Sequence, residues 1–159
     1  MNEVGEYAMR ITAADEPKKI TPERVKQLGD VIKMIPGHWD DQDAKELTSH
    51  FFCDGMYMRE FFLPSGMLVV GKKHRYESFF VVIVGEATIT TADGAIKRVR
   101  APYITVTQPG GQRVVAAHED TVFLTFHANP SNGQDIDALE ERLQIPEQIE
   151  GPEPMRKIT

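Results

Sequence analysis

The stretch GKKHRYESFFVVIVGEA, Gly71 to Ala87, decides how the rest of the chain is read. A glycine and a short basic run lead into one histidine, a carboxylate and a serine. Six consecutive β-branched or aromatic residues, Phe79 to Val84, then end at Gly85. An apolar run of this length between turn signals is a buried strand, and the polar lead-in is a hairpin end.

Working outward, strand-like segments recur on both sides: HFFCDGMYMREFFL and GMLVVG before it, then ATITTADG, IKRVRAPYITV, QRVVAA and TVFLTFH after it. Turn chemistry separates them at Pro64-Ser65-Gly66, Gly85-Glu86, Asp93-Gly94, Ala101-Pro102, Pro109-Gly110-Gly111 and Glu119-Asp120. TADGAIKR carries an Asp-Gly hairpin signal. Short strands at this spacing, with no helix between them, predict an antiparallel sandwich or barrel from about Thr48 to Ala128.

The flanks differ. Residues 1–47 read as an N-terminal arm with one helix. Thr21-Pro22-Glu23 is a start signal, Val25, Leu28, Val31 and Ile32 are spaced for one face, and Pro36-Gly37 is a stop. HWDDQDAKE reads as a polar connector, with Trp39 pinning it to the body. Residues 129–159 read as a tail with one short helix. Its apolar face is Ile136, Leu139 and Leu143, and Pro146 ends it.

The 159 residues carry a formal net charge of -6, which argues against a broad nucleic-acid footprint. A single cysteine, Cys53, rules out an internal disulfide and a cysteine zinc cage, and reads as a small buried residue. No segment approaches the roughly 20 apolar residues that span a bilayer. The first residues lack the basic and apolar regions of a secretory signal. The expected location is the host cytoplasm or a particle assembled there.

From Phe62 to His127 the sequence resembles a cupin, a small jelly-roll barrel. The glycine, His-x-His, Glu, glycine motif of that family maps onto Gly71 to Gly85. Its Pro-x-Gly, His, Asn motif maps onto Pro109 to His118. FLPSGMLVVGKKH, RVRAPYITV, PGGQRVVAAHEDTVFLTFHANP and DIDALEERLQIPE are together similar to small cupin-type proteins of bacteriophage genomes. The resemblance implies an all-β jelly-roll barrel with an N-terminal helical arm and a short C-terminal helix. Cupin metal sites use two histidines two apart on one strand, with a carboxylate and a third histidine from neighbouring strands. Here Lys72 replaces the first histidine, His74 keeps the second place and Ser78 stands where the glutamate belongs. Val114, with Arg113 beside it, occupies the third histidine's place. A lysine ammonium offers donors and no lone pair, so it opposes a cation. No cofactor is expected; a divalent metal, if held, would fall to His74, Glu77 and His118.

Lys72, His74, Arg113 and His127, with Tyr57 and Arg59 from an earlier strand, could instead form a positive pocket for a carboxylate or phosphate. The competing reading makes KKHR a solvated hairpin end. The leading expectation is a non-catalytic, phage-type module that self-associates and serves assembly, in contact with other virion proteins or as an accessory factor. The second is a binder of an anionic metabolite or nucleotide. The third is a cupin enzyme, either metal-free and epimerase-like or using an altered metal site. A homo-oligomer is expected, and no membrane partner.

Overall fold

The computed structural model describes residues 19–91 and 93–146. Eleven strands appear among them. They are β1 (Thr48–Cys53), β2 (Met56–Leu63), β3 (Leu68–Val70), β4 (Lys73–His74), β5 (Ser78–Val84) and β6 (Glu86–Thr90), then β7 (Ile96–Arg100), β8 (Tyr103–Thr107), β9 (Val114–Ala117), β10 (Thr121–Ala128) and β11 (Gln144–Ile145). One antiparallel sheet has the order β1-β2-β10-β5-β8 and the other β3-β9-β6-β7, while β4 and β11 pair separately. Omitting β1 and the short β4 and β11, eight strands make two four-stranded sheets, and the chain changes sheet at every step except the β6–β7 hairpin. That order is a jelly roll, and the fold is all-β with helical extensions.

The alternation of β10 shows why the sheets face each other. Phe123, Thr125 and His127 are buried, whereas Val122, Leu124 and Phe126 between them stand on the other face. The main core joins Leu63, Phe80 and Phe123 of the larger sheet to Ala87, Ile89 and Val115 of the smaller. A β-bulge between Val122 and Phe123 shifts the register on β5. Beside it, Gly85 (φ 84°) makes the β5–β6 turn; a Cβ there would meet the Asp120 carbonyl oxygen at 2.3 Å. Glycine is required at that position. The Asp-Gly signal forms the β6–β7 hairpin, with Gly94 at φ 80°.

Among the described residues three helices flank the barrel: α1 (Pro22–Met34), α2 (Asp41–Glu46) and α3 (Ile136–Leu143). Thr21 caps α1 through the Arg24 N–H, and Val25 is its buried residue. The segment expected as a polar connector contains α2. Asp40 accepts from the Gln42 and Asp43 N–H groups while the Asp43 side chain accepts from the Asp40 N–H. That reciprocal cap outweighs the polar composition. Trp39 is not sealed against the body; it stays 36% exposed at the edge of the cleft between arm and barrel. Cys53 is exposed rather than buried, because the parity of β1 turns it outward with Phe51. Leu139 and Leu143 of α3 close a second, smaller core around Tyr57. Among the described residues no helix is long and apolar enough to cross a membrane.

Candidate functional site

The inward positions of the larger sheet change character along the barrel. Deep in the barrel they are Leu63, Val82 and Phe123; toward the mouth they become Tyr57, Arg59, Ser78, Thr107, Thr125 and His127. Strand register sets these side by side, with His127 opposite Tyr57, Thr125 opposite Arg59 and Ser78 opposite Thr107. The tail completes the rim, where β11 pairs Gln144 with His74. A cleft of about 860 Å³ opens here between the barrel and the arm. Its inner wall includes Phe61, His74, Phe80, Arg113 and Phe123.

Arg113, one residue before β9, is 7% exposed. Its guanidinium donates to the Thr90 carbonyl oxygen and to Thr107 Oγ1 (2.9 Å). It lies 4.5 Å over the Phe80 ring. Its Nε has no partner, and no carboxylate among the described residues pairs with it. Burial lowers its pKa to about 10. A buried cation without a counter-ion is costly, and a bound anion would relieve that cost.

The histidines around it are neutral. His74 is hydrogen-bonded through Nδ1 to Ser78 Oγ (3.1 Å), and His127 through Nε2 to Thr125 Oγ1 (3.1 Å). Their rings stack at 5.5 Å, and the stack continues through Tyr57 (5.7 Å) to His50 (5.9 Å). Burial, reinforced by the Arg59 charge, holds His74 at about 4 and His127 at about 3, both well below the ordinary 6.5. Burial also raises the Tyr57 phenol, whose oxygen is 2.7 Å from His50 Nδ1. Arg59 is matched by Glu140 of α3 at 3.4 Å. Arg113 is therefore the deeply buried charge in this wall that no carboxylate partners.

His74, Arg113, Tyr57, Arg59 and His127 are thus brought to one end of the barrel. Lys72 also lines the cleft, from just before β4. The conditional metal set is not assembled. Glu77 is exposed in the β4–β5 connection. His118 follows the end of β9 away from Arg113 and is hydrogen-bonded to Thr88 Oγ1 (2.7 Å). Among the described residues no three His, Cys, Asp or Glu side chains converge as a metal site. Sequence reasoning missed Ser78 as a partner of His74, and also Thr107, Thr125, His50 and Glu140. Alternation with Phe123 and His127 marks Thr125 as inward; nothing local marks the other four.

No protein-family model matches the sequence, and no curated protein does. Several solved structures are similar in fold. One is an uncharacterized conserved protein with a double-stranded beta-helix domain from Klebsiella pneumoniae (19% identity, 54% of this chain and 78% of that one, TM-score 0.46). Another is the cupin-2 domain of an XRE family transcriptional regulator from Enterobacter cloacae (15%, 52% and 95%, TM-score 0.45). A third is a cupin-2 domain containing protein from Shewanella frigidimarina (12%, 76% and 99%, TM-score 0.43). The jelly-roll assignment rests on the strand order of this chain itself.

Proposed function

We propose that the barrel mouth binds a small organic acid, with its carboxylate received by Arg113 and its apolar body by the aromatic wall. One observation carries this reading: a guanidinium buried to 7% exposure, on the wall of a cleft, without a carboxylate partner. Pockets of this kind bury an apolar ligand body and fix it with a few polar groups. Phe61, Phe80 and Phe123 supply the apolar wall, and His74 offers a neutral ring at its edge. Because the two histidines are neutral and Arg59 is matched by Glu140, the inner wall calls for one negative charge. That favours a monocarboxylate over a phosphate dianion.

The experiment is a thermal-shift and calorimetric screen of aromatic and aliphatic monocarboxylates at neutral pH, beside the matching alcohols. Acids should stabilise the protein and alcohols should not. Arg113→Met should weaken binding about tenfold or more, as expected for a lost charge-assisted hydrogen bond. No stabilisation by any acid at millimolar concentration, or equal binding by Arg113→Met, overturns the reading. The expected assembly role, through termini and sheet edges, would draw on surfaces other than the mouth.

A further inference from the structure

The cleft at the mouth is larger than a short acid fills. Its volume of about 860 Å³ lies in the upper part of the range for drug-sized ligands. Beyond Phe61, Phe80 and Phe123 the barrel side continues with Met67 and Val69, and the arm side adds Val25, Ile32, Ile35 and Trp39. Where its description begins, the arm is fixed to the β6–β7 hairpin. The Ile20 N–H donates to the Gly94 carbonyl oxygen (2.8 Å), and Lys19 pairs with Asp93 (3.7 Å). Along α1 Val25 is buried, and a Cβ on Gly29 would stand 3.9 Å from Val70 Cγ1. Past that contact Ile32 and Ile35 are half-buried and Trp39 is 36% exposed, so the side of the arm that lines the cleft is apolar and incompletely covered.

We infer that the acid received by Arg113 carries a long alkyl chain, which runs from the aromatic wall to the arm and lies against Ile32, Ile35 and Trp39. The inference rests on the organic-acid reading and narrows its ligand to the class of fatty acids. Volume is the first support. A short acid would leave most of the cleft to water held against apolar side chains, which is unfavourable. Charge is the second. The charged residues on the arm side are of both signs, Lys26, Lys33 and Lys45 beside Asp30 and Asp40, so that part of the cleft calls for no second anionic group. The third is the arm itself. Two isoleucines and a tryptophan gain burial when a chain lies between them and the barrel, and each methylene placed there is worth about fourfold in affinity.

The test is calorimetric titration of the full chain with straight-chain acids from butanoate to decanoate, below their micelle concentrations. Fluorescence is followed in parallel, since Trp39 is the one tryptophan of the chain. Affinity should rise about fourfold per added methylene, and the emission should shift to the blue with the longer acids. Ile32→Ser should weaken decanoate about fivefold or more and leave butanoate unchanged. If that variant fails to fold, Ile35→Ser and the wild-type series still decide. Equal affinity across the series, with the Trp39 emission unmoved, overturns the inference and leaves the organic-acid reading standing. A rising series in which both folded isoleucine variants bind decanoate like the wild type puts the chain elsewhere and also overturns it. Decanol binding as tightly as decanoate, decanoate affinity unchanged in Arg113→Met, or no binding by any acid overturns the organic-acid reading and this inference with it.

Discussion

Arg113 is held by two oxygens from distant strands, the Thr90 carbonyl and the Thr107 hydroxyl, and neither neutralises its charge. If its position serves ligand binding rather than the fold, an unbranched apolar residue should replace it at little cost. Exchanging a buried charge for a well-packed apolar group is often neutral or stabilising, because relief of the unpaired charge offsets the two lost hydrogen bonds. Arg113→Met is therefore expected to change stability by about 1 kcal/mol or less in denaturant melts. A loss of several kcal/mol would make the guanidinium a structural strut. The sequence singles out Arg113 through its place beside Val114 in the Pro-x-Gly motif, but not its burial. That depends on Thr90 and Thr107, which become neighbours only once both sheets have formed. His74 was legible as a retained motif position, while its partner Ser78 looked like a lost ligand. In the structure the serine hydrogen-bonds the one histidine the motif kept.

At the scale of elements, α3 links the tail to the mouth. It buries Leu139 and Leu143 against Tyr57, presents Glu140 to Arg59 and leads into β11, which pairs with β4. Leu139→Ala should cost about 2–4 kcal/mol in stability and bring the Tyr57 phenol titration down toward its ordinary value. Denaturant melts and ultraviolet titration measure both. A cost under about 1 kcal/mol, with no change in the phenol, would mean that the helix does not seal the site. The apolar face of α3 was legible because Ile136, Leu139 and Leu143 follow helical spacing with a clear stop. α2 was not, because five polar residues and one alanine carry no periodicity and its signal is a pair of aspartates three apart. Cys53 was misread because β-parity is fixed by partners: pairing opposite Met56 turns it outward, whatever its own preference for burial.

For the whole molecule, the neutral buried histidines couple folding to acidity. His74 and His127 remain unprotonated in the fold down to about 4 and about 3, whereas the unfolded chain protonates both near 6.5. The unfolded state therefore binds more protons between those limits. Their stabilising contribution is intact above about pH 6.5 and is lost progressively as the pH falls through the folded values. Near pH 5 unfolding should take up about two protons from this pair, a slope of about 2.7 kcal/mol per pH unit. Unfolding curves collected between pH 4 and 7 measure it, and His127→Asn should roughly halve the slope. An unchanged slope in that variant would mean that His127 is already protonated in the fold.

The strand order also fixes when this barrel can close. β10 lies between β2 and β5 at the centre of the larger sheet, although it is the last barrel strand in the chain. Until Ala128 has left the ribosome, β2 and β5 have no shared neighbour, and the sheet stays in separate pieces. The tail that carries α3 and β11 is made later still. Closure of the mouth therefore waits on strands made after the rest of the barrel, and the nascent chain must carry one edge of β2 and one edge of β5 unpaired until then.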